Sequence, residues 1–137
     1  MHVMSDYGLK VLDRAACEEA LRSQRVGRVG LCGDHPVVLP VVYGLLDGDV
    51  VFRTAPGEKL IAAALHRTVA FEIDDYDADA HTGWSVDVVG PAEEILSPAE
   101  LDRARALDLP AWAGDLRDRF VRIRTVDVSG RALTRAS

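Results

Sequence analysis

The chain has 137 residues, 48% of them hydrophobic and 28% charged, which suits one soluble domain burying about two thirds of the surface its unfolded form exposes. Its 22 acidic residues against 16 basic ones give a net charge of -6, which argues against a surface built to hold nucleic acid. No run of apolar residues is long enough to span a bilayer, and MHVMSDYGLKVLDR has neither the basic start nor the cleavage site of a secretory leader, so a cytoplasmic location is expected. Residues 1–11 carry no strong pattern and are expected to be loosely ordered. Asp13 is an N-cap candidate for a helix over RAACEEALRSQ, with Ala16, Ala20 and Leu21 on one face. Gly27 closes that region, and VGRVGLC predicts a strand followed by the turn GDHP. VVLPVVYGLL is a near-continuous apolar run expected to be a strand buried on both faces. Asp47-Gly48 is a hairpin signal, because glycine takes the positive φ that a tight turn demands, so DVVFRTA should pair with the preceding strand.

From Gly57 the apolar period becomes helical, with Leu60, Ile61, Ala64 and Leu65 forming a stripe on GEKLIAAALH. TVAFEID predicts a strand, DYDADAH an acidic loop, and GWSVDVVGPAEEI a long strand with Trp84, Val86 and Val88 on one face. Ser97-Pro98-Ala99-Glu100 combines a capping serine, a first-turn proline and a capping-box glutamate, so a helix should begin there and run to about Leu107. DRFVRIRTVDVSGRALT then alternates as a strand and is expected to turn at Ser129-Gly130. Five or six strands joined largely by hairpins indicate an antiparallel barrel with peripheral helices rather than a doubly wound parallel sheet. Cys17 and Cys32 lack ligand spacing, which leaves no zinc site and two reduced thiols expected to pack as small hydrophobes. The acidic run Asp74 to Asp79 reads as a solvated loop rather than a metal site.

The stretch FRTAPGEKL holds one of only two lysines, Lys59, in a chain that otherwise relies on arginine. A helix starting near Pro56 would offer free N–H groups and the positive end of its dipole. Thr54 adds a hydroxyl, Gly57 a close backbone approach, and Arg53 and Lys59 two charges, a set suited to a terminal phosphate monoester. Solvated surface charge is the competing reading of Arg53 and Lys59.

Taken in order, VGRVGL, PVVLPVVYGLLDGDVVFRTAPGEKL, VAFEIDDYD, GWSVDVVGPAEEI and RFVRIRTVDVSGRAL resemble the pyridoxamine 5'-phosphate oxidase-like family from about Leu12 to Leu133. The resemblance implies one FMN-binding split β-barrel domain over residues 1–137. It implies that Leu39, Pro40, Val41 and Val42 lie along a flavin ring, and that Phe52, Arg53, Thr54, Gly57, Lys59 and Leu60 hold its ribityl phosphate. Trp84 and Ser85 would lie near the ring, although a tryptophan on an alternating strand also suits the core. Glu58 stands where the oxidases carry a second basic residue. Their C-terminal substrate-binding Arg and Trp have no counterpart here, so oxidation of pyridoxine phosphate is not expected.

The resemblance further implies a homodimer with sites at the subunit interface, a small-molecule substrate and no membrane partner. The expected activity is an FMN-dependent oxidoreductase. The alternatives are a deazaflavin-dependent reductase and a non-catalytic flavin or haem carrier or sensor. No catalytic side chain is identified; Tyr43 and His81 are remote proton-donor candidates.

Overall fold

The computed structural model describes residues 7–111 and 118–135. In chain order the elements are β1 (Tyr7–Val11), α1 (Arg14–Ser23), β2 (Val26–Leu31), β3 (Val37–Leu46), β4 (Asp49–Thr54), α2 (Lys59–Ala64), β5 (Thr68–Asp77), β6 (Thr82–Glu94), α3 (Pro98–Arg105), β7 (Arg119–Ile123) and β8 (Asp127–Arg135).

Two strands that change partners along their length organise the sheet. The first part of β3, Val37 to Val42, pairs with β2, and the rest, Tyr43 to Leu46, pairs with β4. Likewise β6 pairs with β5 as far as Pro91, then with β7 from Ala92 to Glu94. Further ladders join β4 to β7 and β2 to β5, so six antiparallel strands close on themselves in the order β2-β3-β4-β7-β6-β5. β8 adds to the free side of β6, and β1 to β8. The fold is therefore a mainly β, antiparallel split barrel with short peripheral helices, as the hairpin pattern indicates. Among the described residues it has eight strands rather than five or six.

The crossing of β6 from one ladder to the next occurs at Gly90-Pro91. A Cβ at Gly90 would collide with the carbonyl oxygen of Arg124, so only glycine lets the two backbones approach this closely. The Arg124 N–H donates to the Pro91 carbonyl at 3.0 Å and ties down the bend. Inside the barrel, Phe71, Ile73, Val86, Val88, Val50 and Ile123 are fully buried. A second cluster, Val51, Phe120, Ala104, Leu46 and Ile95, packs α3 against the outside of β4 and β7. Each valine, leucine, isoleucine or phenylalanine among them contributes about 1.5–3 kcal/mol by leaving water.

Local signals account for several boundaries. The Asp13 carboxylate accepts from Ala16 N at 2.8 Å and starts α1. At the β3–β4 turn Asp47 and Gly48 have φ of 53° and 85°, the pair of positive values that suits a two-residue hairpin. α3 begins at Pro98 as expected, but Ser97 makes no capping bond through its side chain. Its capping-box partner Glu100 instead accepts from the Arg122 guanidinium, a buried cation that also faces Asp49. A charge-assisted bond to a buried arginine outweighs an exposed cap.

Other expectations change. Residues 7–11 form a strand rather than loose chain, paired with Arg131–Arg135; Leu9 and Val11 are exposed, which is why no amphipathic pattern marks them. Residues 1–6 lie outside the described residues. The acidic segment after Asp74 is mostly strand, because β5 continues to Asp77 and pairs with Thr82–Ser85 beyond the core, where side chains on both faces meet solvent. No turn forms at Ser129-Gly130. The chain breaks between Ile123 and Asp127, and both residues lie within β8, where Gly130 faces the Cys17 sulfur and Leu12. β3 is not buried on both faces: Val38 and Pro40 are exposed. Cys17 is buried as expected, whereas Cys32 is exposed in the β2–β3 turn. Among the described residues no helix is long and apolar enough to cross a membrane.

Candidate functional site

The β3–β4 ladder ends at the Tyr43–Phe52 pair, and there the strands part. β3 continues against β2 and β4 continues against β7, so a cleft opens between Leu39–Val42 on one side and Arg53–Thr54 on the other. The cleft is a hollow of about 240 Å³. Leu39, Pro40, Val41, Val42, Phe52, Arg53, Thr54 and Leu60 line it, joined by Ala55, Glu58, Ile61 and Pro110. Within it, the side of β3 facing away from β2 has no strand partner among the described residues. Its backbone donors and acceptors are available to a flat heterocycle with polar edges.

Eight of the residues expected at the site are thus brought together. Gly57, in the turn before α2 with φ of 77°, and Lys59, the solvent-exposed first residue of α2, stand on either side of the lining residue Glu58 in the chain. Trp84 and Ser85 are elsewhere. They line a shallow surface depression with Leu9, Tyr76, Arg131 and Leu133, and Trp84 packs partly against the core.

The expected phosphate cradle is altered in two respects. α2 starts at Lys59 rather than near Pro56 and is only six residues long, and its N-cap is Glu58, whose carboxylate accepts from Leu60 N at 3.0 Å. The helix end therefore already carries its own anion. Arg53, for its part, lies 3.0 Å from the Asp118 carboxylate and stacks over the Phe120 ring at 4.9 Å from the centroid. The Arg53 side chain is 14% exposed and that of Asp118 fully buried, so the arginine faces the hollow with part of its charge balanced from behind. Asp118 and Pro110 escape a reading of the sequence because each is distant along the chain from the segment it meets. Glu58 was visible as a departure from the family pattern.

The two proton-donor candidates do not meet the hollow. Tyr43 is 4% exposed and its hydroxyl donates to the Leu21 carbonyl at 2.6 Å. Burial pushes its pKa up to about 12, which suits a structural hydrogen bond. His81 has φ of 56° at the β5–β6 hairpin, away from the cleft.

Known proteins of similar sequence and shape agree with this architecture. An uncharacterized protein of Mycobacterium tuberculosis is 34% identical over 125 residues, spanning 87% of this chain and 82% of its own length. The structure of an FAD binding protein from Mycobacterium smegmatis superposes with a TM-score of 0.78 at 31% identity, covering 90% of this chain and 98% of that one. An FAD-binding protein from Mesorhizobium loti superposes with a TM-score of 0.73 at 26% identity, covering 93% and 98%. The family model described as pyridoxamine 5'-phosphate oxidase matches residues 13–132, which include all six barrel strands and the first part of β8, and the chain belongs to that family.

Proposed function

We propose that the chain binds a flavin in the β3–β4 cleft and acts as a flavin-dependent oxidoreductase on a small organic molecule. The observation that carries this reading is the cleft itself, an apolar slot bounded along one side by a strand edge without a partner. Val41, Val42, Leu39 and Phe52 would exclude water from the faces of the ring, and the β3 backbone would orient its polar edge. Thr54, Arg53, Gly57 and Lys59 would hold the phosphorylated tail. The flavin, when bound, supplies the electron chemistry, and the chain supplies position and electrostatics. Two relatives of similar fold bear the description FAD-binding, which supports the same ligand class.

A hollow of about 240 Å³ is small beside the roughly 300–1,000 Å³ usual for ligand sites, so part of a bound flavin would project from it. We propose that a second copy of the chain covers the remainder, in a homodimer with its sites at the interface. Trp84 and Ser85, remote from the cleft within one chain, would approach the ring only from that second copy. The FMN expectation rested on a helix-end cradle that Glu58 occupies, and the same carboxylate disfavours the longer anionic tail of a deazaflavin.

The test is an absorbance spectrum of the purified protein, followed by titration with riboflavin, FMN and FAD while the thermal midpoint is recorded. Flavin bands, or a midpoint that climbs with added flavin as mass action requires, are expected. Absence of both for all three flavins rejects the reading.

A further inference from the structure

A second hollow, of about 150 Å³, lies beside the first and shares Leu60 with it. It is enclosed by the β2–β3 turn, α2 and the start of β5, and its polar side chains are Cys32, His35, Arg67 and Thr68. The chain carries a net charge of -6, yet among the described residues no carboxylate lines this hollow, and Asp34 in the same turn is not part of its wall. Among the described residues no ion pair engages the Arg67 guanidinium, whereas Arg28, Arg103, Arg119, Arg122 and Arg124 each face an acidic partner. Leu31, Val37, Leu60 and Val69 give the rest of the wall an apolar character.

This combination selects a class of ligand. An arginine fork pairs with a planar carboxylate through two parallel hydrogen bonds, Thr68 and His35 can add further donors, and the apolar wall suits a small ring or a short carbon skeleton. One guanidinium balances a monoanion, whereas a phosphate monoester carries close to two negative charges at neutral pH and would be left half compensated. The first hollow supplies no such cation, because Asp118 opposes Arg53 and Glu58 adjoins Lys59. An organic anion is therefore drawn to the Arg67 side of Leu60, with the lip of the β3–β4 cleft within reach of its other end. Resting on the flavin reading above, we propose that the small molecule on which this protein acts is an organic carboxylate, its carboxylate held at Arg67 in the second hollow and its carbon skeleton directed past Leu60 towards the flavin ring.

The experiment measures the binding of benzoate, a planar carboxylate, and of benzamide, its neutral counterpart of the same shape, to the full chain loaded with the flavin it binds and to two variants, Arg67→Ala and Ala63→Phe. Arg67 is exposed, and the alanine variant keeps its backbone bonds to Ala64 and Ala92. Ala63 lines the second hollow and is exposed on α2, so the larger ring narrows the hollow without entering the core. Benzoate is expected to bind the parent about tenfold or more tightly than benzamide and to shift the absorbance bands of the bound flavin. Each variant is expected to weaken benzoate about tenfold while flavin affinity changes less than about twofold. Absence of benzoate binding, equal affinity for the two probes, benzoate affinity that either variant leaves unchanged, or binding without a shift of the flavin bands overturns the proposal and leaves the flavin reading intact. So does an equal loss of benzoate and flavin, which would make Arg67 or Ala63 a contact of the flavin itself. If no flavin binds, the flavin reading falls and this assignment of the substrate falls with it.

Discussion

The guanidinium of Arg53 and the carboxylate of Asp118 lie 3.0 Å apart at the floor of the β3–β4 cleft, with the Asp118 side chain fully buried. The pairing joins the end of β4 to the residue just before β7, where Arg53 stands opposite Phe120 in the ladder. Replacing Asp118 by alanine would leave a largely buried cation without this counter-charge. Asp118→Ala is expected to cost roughly 3–5 kcal/mol of stability and to lower the thermal midpoint by roughly 10 °C or more. A midpoint within about 2 °C of the parent would show that the pair contributes nothing to the barrel.

Lys59 is exposed, so the contact proposed for it with a phosphate would be worth less than a buried one. Lys59→Ala is expected to weaken both FMN and FAD by about three- to tenfold and to leave riboflavin unchanged. Equal loss for riboflavin would place Lys59 at the ring and not at the tail.

Glu58→Gln removes a charge but keeps an oxygen that can accept from Leu60 N, so α2 should retain its cap. FMN, whose terminal phosphate carries the larger charge, is expected to gain several-fold in affinity, and FAD less. An unchanged FMN affinity in a titration at low salt would remove Glu58 as the source of repulsion.

Glu72 supplies a pH dependence. Burial chiefly, then hydrogen bonding with Asp74 and the charges of Asp74 and Asp87, raise its pKa to about 7 from the ordinary 4.5, while Arg28, at 3.1 Å, acts in the opposite direction. The folded chain therefore holds a proton that the unfolded chain has released between these values, and stability falls as pH rises through that window. Thermal melts from pH 5 to pH 8 should show a declining midpoint, with Glu72→Gln flatter over the same range and more stable at the alkaline end. Parallel curves for the two proteins would assign the decline to other groups.

Tyr43→Phe deletes the hydroxyl that donates to the buried Leu21 carbonyl and so tests whether this residue is structural. A loss of about 1–3 kcal/mol in denaturant unfolding is expected, with flavin affinity and turnover unaffected. A drop in turnover with stability unchanged would return Tyr43 to the proton-donor role.

Much of the fold is legible in short windows because its determinants are local. A carboxylate three residues ahead of an N–H starts α1, an Asp-Gly pair with two positive φ angles turns β3 into β4, and proline after serine opens α3. Eight cleft residues could likewise be named in advance, since Leu39–Val42 and Phe52–Thr54 flank one hairpin and Leu60 follows six residues later. The strand limits were less accessible. Residues 7–11 have an exposed face and become a strand only because β8 offers an edge to pair with. Tertiary structure alone decided where the cleft opens, since that depends on β3 and β4 finding different partners in β2 and β7. It also decided the charge of the site: Asp118 reaches Arg53 from far along the chain, and Glu100 leaves its expected cap for Arg122. The physical reason is range. Caps, turns and alternation act across a few residues, whereas ladder closure and buried ion pairs are settled by which distant segments the common core brings into contact.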